Sequence, residues 1–246
     1  MSILTYNGQV ATYNGTILMS AEGFGGDITY YGDYKIHTFN SSSNFYVTGG
    51  FIDASVLVVG GGGHGTDYVG PTAYGAGGGG GGEVKFFNAL LNTSYPVIVG
   101  SPTQDSSFYG ILARGGKTGG NVGGDSGSGN IGGNPNANQA GGGGAGDASN
   151  GESTINLYGG QGGQGRYSDI SGTLLGYGGG GGGGSRQVFE QIRIKGWARA
   201  GDGGMYNISV PPTDASANSG SGGGGGANSL GGRGAAGVVI IRYKYK

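Results

Sequence analysis

The sequence predicts an all-β protein built as an antiparallel sandwich that carries a long glycine-rich insertion. Short apolar and aromatic blocks of strand length are separated by turn residues, which is typical of antiparallel sheets. Glycine fills long runs between these blocks. No window has convincing helical periodicity over more than about two turns. The best helical candidate, residues 186–194, fits a strand almost equally well.

The strand blocks come first and last along the chain. Strands dominate the first 113 residues and the final ten, while glycine dominates between them, so we expect one domain over residues 35–246 with an insertion at about residues 114–236. The last strand must then return to pair with early strands across more than 100 residues. The candidate strands are residues 35–39, 45–47, 54–59, 83–87, 95–99, 107–113 and 238–246.

Glycine runs recur along the chain, the longest being the seven glycines of residues 178–184. Ordering seven glycines costs roughly 7–14 kcal/mol of backbone entropy, and only hydrogen bonds to neighbouring chain could offset that cost. Polyproline II geometry points the backbone polar groups outward, and chains without Cβ atoms can approach closely. We therefore expect the runs to fold back on one another as a core made of backbone. Shorter runs are residues 60–63, 77–82, 141–144 and 222–226.

Residues 1–34 form a separate-looking segment. The motif TYNG occurs at residues 5–8 and again at 12–15, and Asn-Gly is the strongest short hairpin signal. One interpretation is a pair of β-hairpins that cap the domain. The other is an attachment or oligomerisation arm, because termini outside a core often dock onto a partner.

Composition excludes several classes of protein and site. The 67 glycines and 6 prolines are about 30% of the chain, which suggests low complexity, but 16 Tyr, 8 Phe and 1 Trp argue for order. The net charge of −1, without a basic patch, argues against a nucleic-acid partner. Without cysteine there is no disulfide or thiolate metal site. We expect neither a signal peptide nor membrane insertion.

The order of these blocks resembles a known family. The segments HTFNSSSNFYVTGG, ASVLVVGGGGHG, GGGGGGEVKFF, YPVIVG, SSFYGILARGG and GGRGAAGVVIIRYKY follow one another along the chain. This order resembles the glycine-rich domain of bacteriophage tail-fibre and related virion proteins, over about residues 35–246. The resemblance implies a jelly-roll-like sandwich with an inserted array of polyglycine II helices. In outline the chain is also similar to glycine-rich adhesins at phage tail-fibre tips, whose glycine motifs alternate with variable receptor-reading loops.

The motifs that suggest catalysis or metal binding are weak. Residues 111–118 resemble a P-loop, but Ile111 stands where glycine is needed and the glycines that follow make a poor helix. His37 lies in a predicted strand, where packing or an exposed position at a sheet edge explains it. His64 and Asp67 could share a metal, but two ligands are too few. We expect no enzyme activity, no cofactor and no metal.

Islands of larger residues between the glycine runs are the better candidates for function. Tyr, Trp and Arg concentrate binding energy at interfaces, and loops on a rigid scaffold often carry recognition. Trp197, flanked by Lys195 and Arg199, suits an exposed ring that would favour anionic sugars or acidic protein loops. The alternative is that the aromatic residues only cap the array against water. The candidate receptor-binding residues are Trp197, Arg186, Arg193, Lys195, Arg199, Tyr68, Tyr74, Arg166 and Tyr167.

The resemblance implies a non-enzymatic virion protein, a tail-fibre or capsid-fibre adhesin made in the host cytoplasm. Its expected partners are further copies of itself in a trimer, other virion proteins through residues 1–34, and a host surface glycan or outer-membrane protein. The alternative is a purely structural fibre or decoration protein without a receptor. An ice-binding polyglycine II protein is disfavoured, because the islands break the strict three-residue spacing that a flat binding face needs.

Overall fold

The computed structural model describes residues 21–69, 75–135, 140–186 and 194–245, with the backbone of three strands between residues 4 and 19. This described part is all-β and contains no α-helix, and none of its segments is a helix long and apolar enough to cross a membrane. The strands are β1 (Leu4–Tyr6), β2 (Val10–Tyr13), β3 (Thr16–Met19), β4 (Glu22–Phe24), β5 (Asp27–Tyr31), β6 (Tyr34–Phe39), β7 (Ser43–Thr48), β8 (Ile52–Val59), β9 (Val84–Leu91), β10 (Ser94–Ile98), β11 (Ser106–Phe108), β12 (Ile111–Ala113), β13 (Arg166–Ser168), β14 (Leu175–Tyr177) and β15 (Val238–Lys244).

Two five-stranded antiparallel sheets form the sandwich, as predicted. The first has the order β12-β11-β10-β7-β4 and the second has the order β5-β6-β15-β8-β9. The carboxyl-terminal strand β15 lies in the middle of the second sheet, where Ile240 pairs with Thr38 on one side and Leu57 on the other. The predicted return of the last strand to early strands is therefore confirmed.

The sandwich core lies between the sheets and follows the alternation of each strand. Phe45 and Val97 come from the first sheet, Val56 and Ile241 come from the second, and all four are buried. Phe45 meets Phe108 edge to face, with 6.4 Å between ring centroids. This geometry is favourable for aromatic pairs. The four-residue apolar end of β8 has both faces buried, because its outer face also packs under the glycine insertion.

The segment that precedes residue 35 is divided between two structures. Strands β1, β2 and β3 form their own antiparallel sheet, consistent with two hairpins. Strands β4 and β5 instead pair with β7 and β6 of the sandwich. Strand pairing to the sandwich therefore begins at Glu22, inside the segment of residues 1–34 that the sequence set apart. The turns of both TYNG motifs lie outside the described residues, as do residues 187–193 of the ambiguous helical window.

The glycine runs are ordered and joined by backbone hydrogen bonds with a three-residue period. In residues 76–83 the amides of Gly79 and Gly82 donate to the carbonyls of Gly223 and Gly220, at 2.9 and 2.7 Å. Consecutive amides donate to different segments, because Gly80 donates to Lys117 and Gly81 donates to Ala145, so each neighbouring segment receives every third amide. A β-strand would send its bonds to neighbours in one plane, whereas this three-fold pattern is that of polyglycine II helices.

A central segment is hydrogen-bonded on all sides. Residues 76–83 donate amides to residues 114–120, 142–145 and 220–226, and they accept at their carbonyls from three other segments. The accepting contacts come from residues 60–66, 124–127 and 181–184. The predicted core made of backbone is thus present, and we call this part of the molecule, residues 60–83 and 114–237, the glycine array. It begins earlier than the predicted insertion, because residues 60–83, between β8 and β9, belong to it.

At the inner glycine positions of the array a larger residue does not fit. A Cβ atom built on Gly181 would lie 2.0 Å from the carbonyl oxygen of Gly223, and one built on Gly144 would lie 1.9 Å from that of Gly79. Real Cβ atoms essentially never approach backbone so closely. The absent side chain is what lets neighbouring helices bond laterally, so the composition that suggested low complexity is the packing requirement of this core.

The array is attached to the outer face of the second sheet. Ile170 and Tyr177, from the β13–β14 hairpin, pack on Leu57 and Ile240 in a second apolar cluster. The nearly buried carboxylate of Asp147 accepts a hydrogen bond from the Val84 amide at 2.9 Å. These contacts determine the direction in which the array projects.

Candidate functional site

The glycine helices run between the sandwich and a surface at the far end of the array. At the sandwich end the Gly60 amide donates to Glu83, next to β8 and β9, and at the far end Thr66 donates to Gly77. Several short loops meet at that far end, and we call their surface the distal face. Its described loops are residues 66–69, 75, 119–122, 153–158, 185–186, 205–210 and 227–231.

Backbone contacts tie the distal loops to one another. Isolated β-bridges join Tyr68 to Ser229 and Ser185 to Met205, although these pairs are far apart in sequence. The Arg186 amide donates to Leu157 at 3.1 Å, which adds the loop of residues 153–158. The array thus holds loops from across the chain side by side.

The distal face exposes single aliphatic side chains on tight turns. Asn156, Ser209 and Asn228 have positive φ values of 52–54°, a left-handed conformation that reverses the chain within few residues. Each lies within two residues of an exposed aliphatic side chain. The exposed fractions are 72% for Val69, 68% for Ile155, 68% for Leu230, 43% for Ile208 and 41% for Val122.

Charge is sparse on this face. Among its described loops only Asp67 and Arg186 carry a formal charge. Asp67 accepts a hydrogen bond from the Gly231 amide at 2.8 Å, so it fastens the first segment of the array to the last. The surface therefore combines exposed aliphatic and amide side chains with the partly buried residues Tyr68, Tyr158 and Tyr206.

The structure divides the residues that were predicted to bind a receptor. Tyr68 and Arg186 belong to the distal face. Trp197 and Arg199 lie at the sandwich end, where the Trp197 amide donates to Gly180 and the Arg199 guanidinium stands 5.9 Å from the Tyr177 ring centroid. The predicted cluster around residues 185–205 thus contributes to two separate surfaces.

Other candidates are held by local partners. Arg166 and Tyr167 are on β13 at the sandwich end, and Arg166 pairs with Asp147. Lys195 bonds to Asp202 at 3.1 Å. Tyr74 and Arg193 lie outside the described residues.

Trp197 occupies a partly exposed turn. Its side chain is 42% exposed, and the next residue, Ala198, is buried against Gly176 and Gly179 with a positive φ of 47°. The strained turn that follows Trp197 fills a gap beside the array. The position of Trp197 is compatible both with a residue that caps the sandwich end of the array and with a binding residue.

The weak motifs have structural partners. His64 Nδ1 accepts a hydrogen bond from the Gly234 amide at 3.2 Å, close to the Asp67 contact with the same terminal segment. The P-loop-like residues 111–118 contain β12 and then a segment of the array. In the described part of the chain, no group of three or more His, Asp or Glu residues could hold a metal ion.

The exposed aliphatic residues were not predicted from the sequence. The sequence pattern that marks these residues is an isolated aliphatic residue beside turn-forming residues, as in Asn207-Ile208-Ser209. Such triplets are common in loops, and only the lateral order of the glycine helices brings them to one face. That order depends on tertiary hydrogen bonds, which periodicity does not reveal.

Comparison with known proteins identifies the domain. The model of a family described as "Glycine-rich domain" matches residues 37–244. Comparison with curated proteins gives no match. The matched range spans the sandwich strands from β6 onward and the whole glycine array, so the chain belongs to this glycine-rich domain family.

Proposed function

We propose that this chain is a non-enzymatic phage virion protein, a tail-fibre or capsid-fibre adhesin, that recognises a host surface molecule through its distal face. The observation that carries the proposal is the gathering of Val69, Ile155, Ile208 and Leu230 at the end of the array. Each comes from a different loop. Full burial of one such side chain against a partner contributes roughly 1.5–3 kcal/mol.

The array supports this function because it limits the entropy lost on binding. Loops that are already joined by backbone bonds, such as Tyr68 to Ser229, need little further ordering. Preorganisation of this kind raises affinity for a given contact area. Loop sequences can also vary without disturbing the glycine contacts beneath them.

The chemistry of the face favours one class of receptor. Aliphatic tips with two charged residues, Asp67 and Arg186, complement an outer-membrane protein surface better than an anionic glycan. Trp197 with its neighbouring cations suits the glycan better, but it lies at the other end of the array.

Attachment to the virion is assigned to the amino-terminal strands. Strands β1–β3 form a sheet whose strands pair with each other, and strand pairing to the sandwich begins at β4. We place the contact with other virion proteins in residues 1–20 and propose a trimer as the assembled form.

Adsorption of the purified chain to host cells tests the proposal. Leu230→Ser together with Ile155→Ser should weaken adsorption at least about tenfold, because two exposed anchors are lost. Leu174→Ser is the matched control, since Leu174 is also 68% exposed but follows β13 near the sandwich. It should leave adsorption unchanged.

Two outcomes would contradict the distal assignment. Equal losses in the Leu174 and Leu230 variants would mean that exposure alone matters. Loss of adsorption in Trp197→Ala, with its melting temperature unchanged, would place recognition at the sandwich end. If the unmodified chain binds no host envelope, the alternative function, a purely structural fibre component, is favoured. Where it does bind, competition by soluble glycan or by porin tells the two receptor classes apart.

A further inference from the structure

The outer face of the second sheet continues beyond the part that the glycine array covers. Near the array this face is apolar, with Leu57 and Ile240 buried under the β13–β14 hairpin. Farther along the same strands its side chains become polar and aromatic. Tyr34 there is 41% exposed, and Phe86, which lies opposite Leu57 on the edge strand β9, is 47% exposed. This change of chemistry marks a surface that is not part of the apolar core.

Strand register places the polar residues in rows across the sheet. Asn88 pairs with Ser55, and Ser55 pairs with Arg242 on the central strand. In the next row, Lys244 pairs with Tyr34. Because side chains alternate between faces and strands lie about 4.8 Å apart, the residues of both rows point outward from one continuous surface.

Hydrogen bonds within the rows leave groups available to a ligand. Ser55 Oγ donates to Asn88 Oδ1 at 3.1 Å, which orients the amide and leaves its NH₂ group facing outward. Arg242 donates to the Asp169 carbonyl at 3.1 Å and lies over the Tyr34 ring at 5.1 Å. The Nε atom of Arg242 is buried and has no hydrogen-bond partner among the described residues, so it is not one of the groups that a ligand can reach.

The sheet and the β13–β14 hairpin together form a groove. The sheet supplies Ser55, Asn88, Phe86 and Arg242, while Ser168 and Ile170 come from the hairpin side. The groove therefore combines an exposed aromatic ring with amide, hydroxyl and guanidinium groups. An apolar surface with a few convergent polar groups is the usual composition of a ligand site.

We propose that this groove is a second binding site, which takes a neutral saccharide. A sugar ring presents an apolar face that can stack on Phe86, and its hydroxyl groups both donate and accept hydrogen bonds, which matches Asn88 and Ser55. The Arg242 guanidinium lies 3.7 Å from the Asp169 carboxylate, which balances its charge, so the groove does not require an anionic ligand. This site is separate from the distal face and does not depend on the function assigned to that face.

Nuclear magnetic resonance of the full chain tests the proposal. The probes are maltohexaose, cellohexaose, chitohexaose and a mannose hexasaccharide, each added up to about 10 mM, where weak carbohydrate binding is detectable. At least one should shift the backbone signals of Ser55 and Asn88. Asn88→Ala and Phe86→Ala should each weaken that binding at least about tenfold, as loss of a hydrogen bond or a stacking surface predicts.

Leu112→Ala is the control, because Leu112 is exposed to a similar degree, 48%, on the first sheet. It should keep the full affinity, and all variants should melt close to the unmodified chain. Absence of any shift with all four hexasaccharides would overturn the proposal, as would shifts confined to the distal loops. If Ser55 and Asn88 shift with protein concentration alone, the groove is a contact between copies and the saccharide assignment is wrong.

Discussion

At the scale of single residues, the array depends on what glycine lacks. The Cβ of a residue at position 181 would lie 2.0 Å from the Gly223 carbonyl oxygen, so Gly181→Val must push two helices apart. The lateral bonds around that point would lengthen with them. We expect a loss of more than about 4 kcal/mol of unfolding free energy, the exceptional range for a point mutation, measured by denaturant titration.

Gly120→Val is the matched control for that measurement. A Cβ at Gly120 would meet no atom closer than 3.9 Å, so the added side chain has room. Its cost should stay within about 1 kcal/mol. Similar losses in the two variants would mean that close lateral packing is not what selects glycine in this chain.

A second residue, His37, is buried in the sandwich among polar groups. Its Nδ1 lies 2.7 Å from the Gly25 carbonyl, and its ring stacks on Tyr243 at 5.7 Å between centroids. The neighbouring Lys35 is also buried and pairs with Glu22. Burial lowers the pKa of His37 below its ordinary value of 6.5, and the nearby Lys35 charge lowers it further, against the opposing hydrogen bond to Gly25.

This lowered pKa predicts a pH dependence of stability. Below about pH 6.5 the unfolded chain binds a proton at His37 that the folded chain does not, so the unfolding free energy should fall as the pH falls. The effect should end at the folded pKa. His37→Gln should remove this contribution in acid unfolding titrations, whereas His64→Gln should retain it. An unchanged pH profile in His37→Gln would contradict the assignment.

At the scale of elements, Asp147 connects the array to β9. Its carboxylate accepts from the buried amide of Val84 and pairs with Arg166, which is about half exposed. Asp147→Ala leaves that amide without its acceptor, and we expect a loss of about 1–3 kcal/mol. Asp147→Asn keeps an acceptor oxygen and should lose less unfolding free energy. Thermal unfolding of both variants measures the difference. Equal losses would mean that the Arg166 pair, and not the amide bond, stabilises the junction.

The strands of the sandwich could be predicted from the sequence to within a few residues. The predicted block at residues 54–59 is the end of β8, and the block at 238–246 contains β15, which ends at Lys244. Alternation and turn residues are local signals, so they suffice for these elements. The predicted strand at 107–113 is two strands, because Tyr109 and Gly110 take positive φ values and turn the chain.

The candidate site could be predicted only in part. Tyr68 and Arg186 were placed correctly in loops at the ends of glycine runs, but Trp197 lies at the opposite end of the array from them. Glycine runs have no side-chain pattern that encodes their direction or neighbours. Which loops meet is decided by tertiary backbone bonds, and the aliphatic distal residues became recognisable only once those bonds were known.

At the scale of the whole molecule, strand pairing predicts how much of the amino terminus can be removed. Deletion of residues 1–20 should leave the melting temperature within a few degrees, because among the described strands β1–β3 pair only with each other. Deletion of residues 1–34 also removes the edge strands β4 and β5. Lys35 and His37 then lose their hydrogen-bond acceptors, the carbonyls of Gly23 and Gly25. That variant should unfold at much lower temperature or fail to fold.

The same deletion tests the attachment role. If the chain without residues 1–20 still joins the virion and keeps its oligomeric state, these strands are not the attachment segment. If the melting temperature is retained after deletion of residues 1–34, then β4 and β5 are not needed for a stable sandwich, contrary to what their strand pairing predicts.

The central claim is that the glycine runs form a hydrogen-bonded array that holds the distal face in place. Amide hydrogen exchange of the intact chain tests this most directly, because it reports each glycine amide separately. The account predicts that the amides of Gly79, Gly144 and Gly181 exchange as slowly as those of β15, since each donates a backbone bond inside the array. Exchange of these glycines at the rate of an unstructured chain, beside a protected β15, would contradict it.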